Sequence, residues 1–342
     1  SCDVALVRDG RPARTASTVI AGHPLHLPML DVATVSAGGG SIAWADSGGA
    51  LRVGPESARA RPGPAAYGLG GDRPTVTDAN VVLGRIPADT TLGGTITLDV
   101  PAARAAVGRL AERLGLTVEQ CAEGILTVAV QEMVRALRRV SVERGVDPRG
   151  ATLVAFGGAG PLHACQVADE LGISRVVVPP AAGLLAALGL VIAGERRDYV
   201  QTVLTTAGGG DLAGLLRPLI ERAEADIPGG VLTAQADCRY LGQSHSLTVE
   251  WDPTADEAEL VAAFHRAHRT RYGEDDPTRE VQAVSLRLAV ARPGLDPQLP
   301  GSTPGPARRG PAVLAADGAT CWVPDGWNAR SDGLGALVLR RT

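Results

Sequence analysis

The spacing of apolar residues changes along the chain and begins with a β-type pattern over residues 1–87. There, short apolar runs alternate with glycine turns, and Asp9-Gly10 after "DVALV" is a hairpin signal. In "SIAWADSGGALRV", alternating apolar positions flank a turn at 47–49. A β-hairpin is therefore predicted directly after the glycines at 38–40.

From Val100 the apolar spacing becomes helical. One helix is predicted to run to about Leu114, with Pro101 in its first turn. Thr117 and Gln120 have the spacing of a capping box and predict the start of a second, long helix.

Strands and helices then alternate up to about residue 200, which predicts an α/β core. The strand "TLVAF", the turn "GGAGP", a helix over 162–171 and the strand "RVVVP" follow one another. We expect an α/β section over 1–200, a small α+β domain over 201–295, and a Pro/Gly-rich linker with a terminal β unit over 296–342.

Composition excludes several classes of protein. All 33 basic residues are arginine, so the lysines of a P-loop, a protein kinase or a Schiff-base enzyme are missing. The net charge of -4 comes without a basic stripe, which argues against nucleic acid as a partner. The five cysteines form no CxxC pair, so we expect free thiols in a reducing cytoplasm. No apolar run has the length of a membrane span.

The turn Gly157, Gly158, Ala159, Gly160 is the first candidate site. Neither Gly157 nor Gly158 has a Cβ atom, so the backbone there can approach a base or a ribose closely. A dinucleotide turn needs a third glycine where His163 stands, which counts against NAD or FAD. The alternative is tight helix–strand contact without a ligand. His163 itself could bind a ligand or hydrogen-bond a carbonyl of the core.

A second candidate site combines a glycine loop with two polar residues downstream. Gly38, Gly39, Gly40 and Ser41 would form an anion cradle if their N–H groups converge, and a flexible strand entrance otherwise. The pair formed by Asp78 and Asn80 could hold a metal-bound water or cap the following turn.

Four segments in this order resemble the hydantoinase A / 5-oxoprolinase family, and the resemblance covers essentially the whole chain. The family includes N-methylhydantoinases, 5-oxoprolinases and the β subunits of acetone and acetophenone carboxylases. The segments are "MLDVATVSAGGGSIAWADSGGALRVGPESARARPGPAAYG", "PTVTDANVVLGRI", "AFGGAGPLHACQVADELGISRVVVPPAAGLLAALGL" and "RYLGQSHSLTV".

The resemblance implies the second lobe of an actin-like ATPase fold, of the sugar kinase and Hsp70 type, followed by the small α+β domain. In that fold ATP lies between two lobes, and Gly157, Gly158 and Gly160 match the turn that contacts the adenosine. Ser1 and Asp3 match the tail of the second phosphate loop. The first lobe is absent from this sequence, so the chain is expected to be the C-terminal portion of a longer subunit.

The family chemistry implies ATP and Mg²⁺ as cofactors, a hydantoinase B-type subunit as partner, and a cyclic amide that is phosphorylated and then opened by hydrolysis. Alternatives are a carboxylase subunit that activates a ketone, or a non-catalytic assembly module. With one lobe missing, the isolated chain is expected to be inactive and to bind ATP weakly or not at all. Catalytic residues and metal ligands are not assigned.

Several positions depart from the family pattern on the side expected to face the substrate, which leaves the choice of substrate open. Ala33 stands where many members have histidine, and Ser36 stands where glycine is usual. Arg59 and Arg61 replace residues that are usually small or acidic, and Ala66 replaces a common cysteine.

Overall fold

The computed structural model describes residues 1–15, 17–20, 22–25, 29–297, 305–316 and 318–342. The chain forms two compact units, Ser1–Ala186 with Leu299–Thr342, and Ala187–Gln298. The predicted linker falls partly on residues 298–304, outside the described residues. The three-part division at 200 and 295 stays a prediction.

Strands are more common than helices in the chain up to residue 97, in agreement with the β-type pattern predicted for residues 1–87. The strands are β1 (Cys2–Ala5), β2 (Val7–Arg8), β3 (Arg11–Pro12), β4 (Arg14–Thr15), β5 (Thr18–Ile20), β6 (His23–Leu25), β7 (Met29–Leu30), β8 (Val32–Val35), β9 (Ser41–Ala45), β10 (Leu51–Ser57), β11 (Thr91–Leu92) and β12 (Ile96–Thr97). The hairpin after the glycine loop is confirmed, because β9 and β10 pair antiparallel.

The helices of the first unit include α1 (Val76–Val82), α2 (Val100–Leu114), α3 (Val118–Val140) and α4 (Gly160–Leu171). Of these, α2 and α3 begin where the sequence signals place them. The capping box of α3 is confirmed, because Gln120 N–H donates to Thr117 Oγ1 at 3.1 Å and Thr117 N–H donates to Gln120 Oε1 at 3.0 Å. A further helix, α5 (Leu185–Ile192), follows later in the chain.

A five-stranded mixed sheet organises the α/β part of the first unit. The strands that build it and its neighbouring hairpin are β13 (Leu153–Val154), β14 (Arg175–Val178), β19 (Arg308–Arg309), β20 (Ala312–Ala316), β21 (Ala319–Val323), β22 (Trp327–Ser331) and β23 (Leu337–Arg341). The order in the sheet is β13-β14-β23-β22-β19, with only β13 and β14 parallel among its described pairs. The strands predicted as a terminal β unit therefore extend the sheet that begins with β13.

One hydrophobic core joins α3, α4 and this sheet. Helix α4 follows β13 and precedes the parallel strand β14, as in a βαβ unit. The fully or nearly fully buried members of this core include Val130, Val134, Cys165, Ala168, Val176, Trp327 and Leu339. Because core members lie on both sides of the turn, Ala155 before it and Ala164 after it, the core fixes the turn that precedes this helix.

The second unit contains β15 (Glu195–Thr206), α6 (Leu212–Asp226), β16 (Val231–Tyr240), β17 (Leu247–Trp251), α7 (Glu257–Tyr272) and β18 (Val281–Arg292). The strands form one antiparallel sheet in the order β15-β18-β16-β17. Apolar residues of both helices, among them Leu216 and Phe264, share its core. Within the described ranges, no helix is long and apolar enough to cross a membrane.

Helix α1 was not predicted, and its N-terminus depends on a buried carboxylate. The Asp78 side chain is fully buried and accepts hydrogen bonds from Thr75 N–H at 2.8 Å and Thr75 Oγ1 at 2.7 Å. It also accepts from the N–H groups of Ala66 at 2.7 Å and Ala65 at 3.3 Å. Burial raises the pKa of Asp78, and these hydrogen bonds act in the opposite direction.

We expect Asp78→Asn to lower the free energy of unfolding by roughly 1–3 kcal/mol, because an amide NH₂ group cannot accept from these donors. Asp89→Asn makes the same chemical change at an exposed position and is the matched control. Urea unfolding of both variants measures the difference. Equal stabilities would contradict the role of Asp78 as the cap of α1.

Candidate functional site

The turn between β13 and α4 is held open by Gly157. This residue has a φ of +81°, in the left-handed region that favours glycine. Its N–H donates to the carbonyl of Ala182 at 2.8 Å. Because Ala182 lies shortly after β14, the segments that leave the two parallel strands are tied together at the carboxyl edge of the sheet, where ligands of α/β proteins commonly bind.

Three successive N–H groups at the start of α4 are free to donate. Within the described part of the chain, those of Gly158, Ala159 and Gly160 make no hydrogen bond. Ala159 is the N-cap residue, and its side chain cannot accept from the first turn. An uncapped helix N-terminus attracts a negatively charged or strongly polar ligand.

The space around these glycines argues against tight helix–strand contact as the reason for them. A Cβ atom at Gly158 would meet no heavy atom within 4 Å. At Gly160 the nearest atom would be the carbonyl carbon of Ala155 at 3.8 Å, an ordinary contact. The fold therefore does not require either residue to be glycine, whereas the approach of a ligand to the backbone would.

His163 lies in the first turn of α4 and is buried, with 1 % of its surface exposed. Neither ring nitrogen has a hydrogen-bond partner within the described residues, so it neither satisfies a core carbonyl nor faces solvent. Desolvation lowers its pKa to about 4, and the charge of Arg85 acts in the same direction. At neutral pH the imidazole is therefore uncharged.

Arg85 borders this region and was not singled out from the sequence. Its guanidinium donates to Gln166 Oε1 at 3.0 Å and lies over the ring of Trp322, 5.3 Å from the centroid. Burial lowers the pKa of Arg85. Trp322 comes from β21, more than 230 residues away in the chain, so no local sequence pattern could have indicated this contact.

The glycine loop at 38–41 differs from the turn before α4, because neighbouring side chains lie close to the positions that Cβ atoms at Gly39 and Gly40 would occupy. A Cβ atom at Gly39 would lie 2.7 Å from Thr77 Oγ1, and one at Gly40 would lie 2.9 Å from Ser57 Oγ. Ser41 Oγ closes the loop by accepting from Gly38 N–H at 3.1 Å. The N–H groups of Gly39 and Gly40 make no hydrogen bond within the described residues.

Ser1 and Asp3 lie beside this glycine loop. Strand β1 pairs antiparallel with β8, which leads into the loop, and the Ser1 nitrogen lies 2.8 Å from the position of a Cβ at Gly38. The Asp3 carboxylate is exposed and accepts from Thr34 Oγ1 at 2.6 Å.

Both glycine segments adjoin the same hydrophobic core. Ala37 precedes the loop at 38–41 and Ala155 precedes the turn at 157–160, and both are buried members of the core that α3 and α4 share. Cys2 and Val35 contact this core as well. The structure thus brings three of the predicted segments, from distant parts of the sequence, to one core.

Asp78 and Asn80 are both buried, Asp78 in the N-terminal cap of α1 and Asn80 further along the same helix. Asp78 uses its carboxylate as the cap of α1, and Asn80 Nδ2 donates to the Val76 carbonyl at 2.9 Å. Asn80 Oδ1 is buried and has no partner within the described residues. Among those residues, no group of three or more His, Cys, Asp or Glu side chains could hold a metal ion.

A parallel-strand edge with a glycine turn, an uncapped helix and free N–H groups is an arrangement of α/β proteins that can accept an anionic or polar ligand. Residues 1–199 match the model of the hydantoinase/oxoprolinase family. The chain belongs to this family, which confirms the resemblance inferred from its four motifs.

Relatives with assigned activities support this membership. The chain is 38% identical over 308 residues to caprolactamase subunit alpha of Pseudomonas jessenii, covering 85% of this chain and 44% of the relative. It is 36% identical over 282 residues to a 5-oxoprolinase of Pestalotiopsis fici, covering 76% of this chain and 22% of the relative. The chain therefore spans less than half the length of these curated relatives.

A solved structure of nucleotide-free acetone carboxylase, described as a protein of ATP-dependent acetone carboxylation, has a similar fold. The TM-score is 0.86 at 25% sequence identity, over 99% of this chain and 57% of that chain. This similarity supports the mixed α/β fold expected from the sequence.

The two glycine segments should respond in opposite ways to an added methyl group. We expect Gly39→Ala to lower the free energy of unfolding by roughly 1–3 kcal/mol, because the methyl group collides with the buried Thr77 hydroxyl. Gly158→Ala should leave stability unchanged or raise it by up to about 1 kcal/mol, because it meets open space. Thermal and urea unfolding measure both. A destabilised Gly158→Ala variant would restore the tight-contact interpretation.

Burial of the neutral His163 should make stability depend on pH. Its pKa is about 4 in the folded chain against 6.5 for the free side chain, so the unfolded chain binds a proton first. Stability should therefore fall as the pH drops from about 6.5 to about 4, by an amount on the order of 3 kcal/mol.

His163→Phe removes the titrating group at similar size, and its unfolding free energy should change less over this range. Exposed His245→Phe is the matched control and should keep the pH dependence of the parent chain. Identical pH profiles for the parent and His163→Phe would contradict the buried, uncharged state.

Proposed function

We propose that this chain is the C-terminal part of an ATP-dependent cyclic amide hydrolase of the hydantoinase/5-oxoprolinase type. Its first section would be the second lobe of an actin-like ATPase fold. The observation that carries the proposal is the run of free N–H groups at Gly158, Ala159 and Gly160, in an open turn of a family member. The adenosine side of ATP would bind at this turn.

The residues present fit a nucleotide at two places. The free N–H groups of the turn are donors for a ribose or a phosphate, and those of Gly39 and Gly40 are donors for an anion. Ser1 and Asp3, beside the second loop, would complete the phosphate side. The carboxylate of Asp3 is exposed and would be a candidate ligand for Mg²⁺, which commonly uses one or two carboxylates together with phosphates.

ATP, when bound, supplies a phosphoryl group that activates the amide oxygen for ring opening. The contribution of this chain would be to bind and orient, because backbone donors fixed by a rigid core need no rearrangement when charge develops. Neutral His163 would support the first turn of α4 without adding charge next to the nucleotide. Mg²⁺, a hydantoinase B-type partner and a cytoplasmic location belong to the same proposal.

A carboxylase-type subunit that activates a ketone is the second candidate. The structural similarity to acetone carboxylase supports it, since that protein shares the fold over nearly the whole of this chain. A third candidate, a non-catalytic assembly module, would bind no nucleotide in the complete protein. Calorimetry with MgATP separates this candidate from the two enzymes.

ATP hydrolysis by the complete polypeptide that carries this chain, purified with its partner subunit, tests the proposal. We expect turnover to be stimulated by lactams or hydantoins. A ketone with bicarbonate would stimulate turnover only if the carboxylase candidate is correct. No ATP turnover with any of these substrates would reject both enzymatic candidates.

Gly158→Val tests whether the turn holds the nucleotide. The side chain should raise the KM for ATP at least tenfold without lowering the melting temperature, because it adds bulk in open space within the run of free N–H groups. Gly333→Val places the same side chain at another open glycine and is the matched control. An unchanged KM for ATP in Gly158→Val would contradict the assignment of the turn.

A further inference from the structure

A small cleft lies between β10 and the loop that follows it. Its volume is about 200 Å³, below the roughly 300–1,000 Å³ of pockets for larger ligands. The cleft is therefore too small for a nucleotide. Its lining includes Ile42, Arg59, Arg61, Pro62 and Arg73.

The cationic groups of this cleft are not all paired. Arg73 donates to Glu56 Oε1 at 2.6 Å and lowers the pKa of that carboxyl group. The side chains of Arg59 and Arg61 make no ion pair or hydrogen bond within the described part of the chain. The lining of the cleft therefore has two guanidinium groups without an ion pair, those of Arg59 and Arg61. It has one carboxylate besides that of Glu56, namely that of Asp72.

The backbone places Arg59 at the cleft at a conformational cost. Its φ is +56°, a left-handed conformation that costs a non-glycine residue about 1 kcal/mol or more. Its N–H donates to Ser57 Oγ at 3.1 Å, which fixes the turn. Such strain is often found at binding sites.

The cleft borders the glycine loop at 38–41. Ala58, which lines the cleft, donates its N–H to the Gly40 carbonyl at 2.8 Å. Ile42, directly after the loop, is 3% exposed and offers an apolar wall together with Pro62. A ligand with an anionic end and a small apolar body matches both halves of this lining.

We propose that the cleft binds the carboxylate of a small organic acid through Arg59 and Arg61, and that it favours carboxylate-bearing lactams over neutral ones. Guanidinium groups match the planar, two-oxygen geometry of a carboxylate. The assignment of this acid as the substrate rests on the proposed function, whereas the binding itself does not.

Calorimetry on this chain without nucleotide tests the proposal with three probes. L-5-oxoproline and 2-pyrrolidinone share one lactam ring and differ only in the carboxylate, and inorganic phosphate is the third probe. We expect L-5-oxoproline to bind at least tenfold more tightly than either of the others. No binding of L-5-oxoproline, or equal affinity for it and for 2-pyrrolidinone or phosphate, would overturn the proposal.

A double variant, Arg59→Gln with Arg61→Gln, should weaken binding of L-5-oxoproline at least tenfold. Arg113→Gln removes the same charge from an exposed position on α2 and should bind as the parent chain does. Melting temperatures of all variants establish that they fold. Parent-like affinity in the double variant would overturn the proposal. Because no ATP is present, failure here is distinct from failure of the ATP-dependent reaction, which has its own assay.

Discussion

The hydrophobic core between α3, α4 and the five-stranded sheet is the constraint on which the first unit depends. It fixes the direction of α4 and hence the position of the three free N–H groups before it. It also includes Ala37, which leads into the second glycine loop. Apolar burial of this kind is strong but not directional. Direction comes from hydrogen bonds such as that from Gly157 to Ala182.

The glycines of the loop at 38–41 and those of the turn before α4 are explained by two different physical causes. Neighbouring side chains leave little room for a Cβ atom at Gly39 and Gly40. The fold itself therefore accounts for these glycines, in addition to any role of their free N–H groups. Gly158 faces open space, so its lack of a side chain has no explanation in the fold. This contrast, more than the motif itself, makes the turn before α4 the stronger candidate for ligand binding.

Local patterns were sufficient for the capped helices and the tight hairpins. The capping box at Thr117 and the β9–β10 hairpin follow from neighbouring residues alone. Helix α1 was missed because it is short and buried, so it lacks the polar face of an amphipathic helix. Strand β15 was missed because its first half is charged and exposed, and β18, its partner among the described strands, lies about 80 residues further along.

The candidate site could be predicted in part, since the family motifs identify its glycines. The sequence could not indicate which glycines face open space, that His163 lacks a partner, or that Arg85 lies over Trp322. These properties arise from contacts between distant segments. The role of Asp78 was one of two interpretations from the sequence, and its four hydrogen-bond donors favour the cap.

The function proposed for this chain depends on whether the free N–H groups before α4 bind a nucleotide. Hydrogen exchange of the complete protein, followed by mass spectrometry with and without MgATP, tests it most directly. We expect slower exchange in peptides that contain Gly158, Ala159 and Gly160, and no change at the C-terminal turn of α2 around Gly115. Unchanged exchange at 158–160 under saturating MgATP would contradict it.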